Sequence, residues 1–228
     1  MENFTDPYQH PDPIDKQPVS KPPLHPGRLK DLYFAPSRFF AADNLDWAPY
    51  YRIAAWLIGI SGAIDRIDKN LMRADLGDPR PGQEMMTESW FGFWSIVLLS
   101  GILGGYLIWL VGGWWYRVRL IWSGALQADK RAARLVYIYA ALVGALPNLL
   151  IVVIASLLFE NYAAYWASDE VWSSLLIIFP FWGIVVSYKG AMTTFEVRKG
   201  RAQWWFLWFP ICLYIVFFGV VAAMYALL

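Results

Sequence analysis

A chain of 228 residues that is 58% apolar and only 16% charged lacks the composition of a water-soluble domain, in which about a quarter of residues carry charge. Its net charge of +1 supplies no basic stripe to displace counterions from phosphate, which excludes nucleic acid as a partner. One cysteine, Cys212, in an apolar run and two histidines, His10 and His25, in a proline-rich tail offer no disulfide, metal cluster or nucleophile–base pair, so the sequence points away from an enzyme and from a bound cofactor.

Residues 1–28 are polar and hold Pro7, Pro11, Pro13, Pro18, Pro22, Pro23 and Pro26, a composition that predicts a disordered tail. With no basic start, apolar core and small-residue cleavage site, it does not read as a cleavable signal peptide. The segment LKDLYFAPSRFF, 29–40, is too short to span and is expected in the membrane interface, with Leu29, Leu32, Tyr33, Phe39 and Phe40 toward lipid and Lys30 and Arg38 toward water.

The first apolar run, Trp47 to Ile64, carries one charge, Arg52, close enough to its start to reach the headgroups. A charged, water-facing loop follows over Asp65–Glu88, with an amphipathic beginning at Ile64, Ile67 and Leu71. The runs Trp90–Gly112 and Leu135–Phe159 carry no charge and are long enough to cross. Further spans are expected from Val171 to Tyr188 and from Trp204 to Leu228. The fold class is therefore an all-α integral membrane protein, a bundle of about five transmembrane helices over residues 29–228.

Gly101 and Gly105 make a GxxxG, a spacing that lets helix backbones approach. Between the second and third spans lies a loop that mixes Arg117, Arg119, Lys130, Arg131 and Arg134 with Trp114, Trp115 and Trp122. It reads as an interfacial belt with positive-inside charge, or as a docking surface for anionic lipid headgroups or a protein partner. Pro147, Pro180 and Pro210 suggest helix kinks, and Asn148 follows the first of them. Asn148 is open to two readings, packing against a neighbouring helix or lining a small polar cavity.

Of the Lys and Arg residues, fifteen fall on the side of the tail and the two basic loops and four on the other. This asymmetry predicts a cytoplasmic N-terminus and an outside C-terminus.

The interfacial DLYFAPSRFF, the GG-containing exit with its basic loop and SGA, the ALP inside the third span, KGAMTTFEVRKGRA and the last span opening WFP follow one another in an order that resembles the Yip-domain family of Ypt/Rab-interacting membrane proteins, most closely its bacterial branch. The resemblance implies five helices, a cytoplasmic N-terminus and, for eukaryotic members, trafficking through GTPase and membrane-shaping partners; for the bacterial branch it implies little beyond a membrane location, and the expected location is the bacterial inner (plasma) membrane. The expected function is a non-enzymatic membrane scaffold that recruits membrane or cytoplasmic proteins or organises lipid. The alternative is a small transporter or channel subunit with a midplane cavity near Asn148.

Overall fold

The computed structural model describes residues 21–41, 45, 48–78, 81–168, 176 and 178–226. Expectations for the tail before residue 21, for the start of the fourth span at 171–175 and for the final residues 227–228 lie outside them. Among the described residues the regular structure is entirely helical. Among the described residues two helices, Trp90–Trp122 and Lys130–Leu158, are long and apolar enough to cross a membrane.

Helix α1, Pro26–Phe34, starts inside the segment expected to be tail. Pro26 stands at its first position, where a missing N–H costs nothing, and the His25 ring accepts a hydrogen bond from the Gly27 N–H at 3.2 Å. Helix α2, Pro36–Phe40, follows after Ala35.

This pair corrects the interfacial reading. Lys30 and Arg38 are exposed as expected, but Leu32, Phe39 and Phe40 are buried in the protein core and not turned to lipid. Arg28 is buried with them, donating from Nη2 to the Phe39 carbonyl at 2.8 Å and lying 4.9 Å from the Phe39 ring centre. The segment is amphipathic, and amphipathicity alone does not say whether its apolar side meets lipid or protein.

Helix α3, Tyr50–Asp75, continues eleven residues past Ile64 and absorbs the first half of the expected loop. Ile64, Ile67 and Leu71 are buried along one face, while Lys69 and Asp65 pair at 2.6 Å on the other. The helix is about 39 Å long at 1.5 Å per residue. After α4, Gln83–Thr87, comes α5, Trp90–Leu107, which runs through a π-helical turn, Ile108–Gly112, into α6, Gly113–Trp122. The expected basic loop is therefore mostly helix. Its non-helical part is residues 123–129, where Gly124 takes φ +105 and Asp129 caps the next helix by accepting from the Ala132 N–H at 2.7 Å.

Helix α7, Lys130–Leu158, is the centre of the bundle. After α8, Tyr162–Trp166, the chain returns as α9, Ile178–Thr194, and as α10, Lys199–Gln203, which passes through a second π turn, Trp204–Trp208, into α11, Phe209–Ala226. Pro180 is third in α9, so it lies at the helix start and not at an interior kink. Pro210 is the second residue after the second π turn; it has no N–H to continue the ladder, and the wider turn lies where its ring would otherwise crowd the preceding carbonyls.

Helices α3 and α5 touch main chain to main chain. A Cβ on Gly59 would collide with the Gly101 carbonyl and the Gly105 backbone, and one on Gly105 would lie 2.5 Å from the Ala55 oxygen. The GxxxG glycines thus serve intramolecular packing, and Gly59 is their partner.

Pro147 lies inside α7 and has no N–H to offer the Val143 carbonyl four residues back. That carbonyl accepts instead from the Tyr33 hydroxyl of α1 at 3.1 Å. Tyr33→Phe is expected to cost about 1 kcal/mol of stability. In a Pro147→Ala background, where the alanine N–H restores the helical bond, the cost should largely vanish. A double-mutant cycle by thermal unfolding in detergent measures this coupling; additive effects would show that the two residues act separately.

Candidate functional site

The eight residues of the basic aromatic region do not share one surface. Arg117 donates from Nε to the Ala128 carbonyl at 2.9 Å and so closes the turn between α6 and α7. Arg134 lies 4.2 Å from the Trp109 ring centre, and its aliphatic stem packs where a Cβ on Gly113 would be. Both cations are occupied in holding helices together. Lys130 and Arg131 are exposed at the start of α7. Trp114 and Trp122 are exposed too, whereas Trp115 is half-buried, its ring edge-on to Trp122 at 5.5 Å.

Trp122 also meets Trp205 at 4.5 Å, which extends the belt onto the last helical segment. Trp109 and Trp205 belong to this region by position, and no feature of the basic segment itself signals them. The turn is fastened further by the Arg198 N–H, which donates to the Ser123 carbonyl at 2.9 Å.

Arg119 stands apart. It is only 9% exposed, with its guanidinium carbon 4.7 Å from the Phe206 ring centre and 5.3 Å from that of Tyr116. The Tyr116 hydroxyl itself donates to the Ser187 carbonyl at 2.8 Å. Arg119 lines a cavity of about 350 Å³ between α7, α9 and the last helical segment, with Gly144, Pro180 and Pro210 among its walls.

Asn148 is not among the residues lining that cavity. Its amide donates to Ser61 Oγ at 3.0 Å, bridging α7 to α3. Among the described residues no group of three or more His, Cys, Asp or Glu is placed to hold a metal.

At the other end of the bundle the polar contacts are acidic and aromatic. Tyr162 donates to Asp68, Trp166 Nε1 to Asp75 at 2.9 Å, and Trp90 Nε1 to the Phe159 carbonyl at 2.8 Å. Phe93 stacks on Tyr162 with ring centres 4.2 Å apart. Asp68 stands on the charged continuation of α3 beyond its apolar run. Desolvation beside these rings pushes the Asp68 carboxyl up to about 6, against the opposing pull of the Tyr162 hydrogen bond. Burial and the nearby carboxylate raise the Tyr162 hydroxyl in turn.

Residues 116–176 match the family model of the NtrY N-terminal region. No curated protein and no solved structure matches the chain. The family match overturns the Yip-domain resemblance, whose glycines, prolines and aromatics are common to many apolar helices, so their order carries little family information. The matched segment runs from α6 through the basic turn and α7 to α8 and beyond, and so includes both Arg119 and Tyr162. Taken with the two apolar helices, it makes this a membrane-associated protein.

Because the folded state holds a proton on Asp68 up to about pH 6, whereas an unfolded carboxyl holds it only to about 4, the native protein binds more protons within that window. Stability should therefore rise as pH falls from 7 toward 4. The thermal midpoint in detergent is the measurement, and Asp68→Asn should flatten this part of the profile. An unchanged slope in that variant would assign the dependence to other groups.

Proposed function

We propose that the chain is a non-enzymatic five-span membrane scaffold, the apolar parts of its helices 50–75, 90–122, 130–158, 178–194 and 199–226 standing in the bilayer with the basic end in the cytoplasm. The observation that carries this reading is the pairing of exposed Lys130 and Arg131 with exposed Trp114 and Trp122 at one end of a bundle whose sides are apolar. Leu99, Ile102 and Leu103 on α5, Leu150 and Leu157 on α7, and Ile215 and Val216 on α11 are exposed and need a non-aqueous surrounding. The cations attract an anionic leaflet or an acidic partner, and the indole rings hold the turn at interfacial depth.

A reporter fused after Leu228 is expected to be active only outside the cytoplasm, and one inserted near Arg131 only inside. Activity of both on the same side would overturn the five-span arrangement.

For docking, the test is Lys130→Gln with Arg131→Gln, leaving Arg134 in place because it packs on Trp109. At low salt, attraction for anionic lipid at this face should fall about fivefold per charge removed, measured as anionic lipid enriched around the protein in mixed bilayers. Unchanged enrichment removes the docking role.

The match to the NtrY N-terminal region favours a second reading, in which the same bundle is a membrane segment working with a sensor kinase. Cross-linking from position 130 in native membranes separates the two: capture of a kinase there decides for the second.

A further inference from the structure

Arg119 is a buried cation with no counter-charge among the described residues. Its Nε has no hydrogen-bond partner, and neither ion pair found among those residues involves it. A charge removed from water needs compensation, and the two rings that flank the guanidinium supply only part of it.

Along the helices, the lining of the cavity beside Arg119 changes from polar to mostly apolar. Arg119, Tyr137 and Ser187 mark one end and Gly144, Phe179 and Pro180 the other. From Ser187 to Pro180, and from Tyr137 to Gly144, the walls run about 10 Å along the helices. The charged end lies within one helical turn of Trp122, at the basic rim, and the far end lies toward the apolar middle of the bundle.

Two glycines keep this space open. A Cβ on Gly144 would have no neighbour within 4 Å, and one on Gly183 would come no closer than 3.8 Å to the Ala140 carbonyl oxygen, the reverse of the tight glycine contact between α3 and α5. Phe179, Pro180, Pro210 and Tyr214 are half-exposed, so the cavity reaches the outer side of the bundle.

We propose that this cavity binds one anionic phospholipid, its phosphate against the Arg119 guanidinium and an acyl chain along Gly144, Phe179, Pro180 and Pro210. A planar guanidinium offers paired donors that fit phosphate oxygens. The apolar length beyond it suits a chain and gives a soluble anion nothing to contact. This site rests on the bundle standing in a bilayer and not on docking at Lys130 and Arg131.

The test uses the full chain in mild detergent, loaded with phosphatidylglycerol or phosphatidylcholine and washed at about 0.5 M salt, which screens the exposed rim far more than a buried contact. Lipid retained per protein is then read by native mass spectrometry. One phosphatidylglycerol should remain on the parent, and phosphatidylcholine should wash away.

Arg119→Gln should lower retention about tenfold or more. Gly144→Leu should do the same by filling the cavity with the cation untouched; it favours the helix and so keeps the test alive if Arg119→Gln fails to fold. Lys130→Gln with Arg131→Gln should retain lipid like the parent, so failure of surface docking leaves this result unaffected. The proposal is overturned if the parent retains no lipid or both lipids equally, if inorganic phosphate displaces phosphatidylglycerol, or if folded Gly144→Leu retains it undiminished.

Discussion

Where α3 crosses α5, the absence of side chains at Gly59, Gly101 and Gly105 brings main chain against main chain. This contact fixes the position of a helix that apolar character alone would hold poorly, since α3 carries Arg52 near its start and a run of charges beyond Ile64. Once α3 is fixed, Ser61 comes within reach of the Asn148 amide, and Asp68 and Asp75 come within reach of Tyr162 and Trp166. Trp56 Nε1 likewise finds the Leu98 carbonyl at 3.2 Å across the same crossing. Close glycine packing strengthens such contacts because it shortens the distance over which dispersion and interhelical hydrogen bonds act.

The long helices were legible where apolar residues run without interruption, as in 90–112 and 135–159. Their true ends were not, because a helix continues past the apolar stretch for as long as its charged residues face outward or find a partner, as Asp65, Arg66, Lys130 and Arg131 do at the surface, Asp68 does at Tyr162 and Arg134 does on Trp109. The carbonyl freed by Pro147 was readable in principle, since proline always withholds that donor. Its replacement was not, because Tyr33 is 110 residues away in sequence.

The basic segment shows the same limit on a finer scale. Arg117, Arg119, Lys130, Arg131 and Arg134 are equivalent as letters, yet one fastens a turn, one lies on an indole, one is buried and two are exposed at the surface. The difference comes from non-local neighbours: Phe206 beside Arg119 belongs to the last helical segment. The direction of the charge asymmetry is a property of composition, whereas the role of each cation is a property of packing.

Tyr33 has a consequence for biosynthesis. Its hydroxyl is held by Val143, and its own carbonyl accepts from Trp182 Nε1 at 3.0 Å, a residue made 149 positions later. At roughly 5–20 residues per second, α1 leaves the ribosome on the order of ten to thirty seconds before that binding site exists. During that interval α1 and α2 gain Tyr139 and Val143 of α7 to pack against, but not yet the indole of Trp182. The seating of α1 is thus completed only by a residue far downstream in the chain.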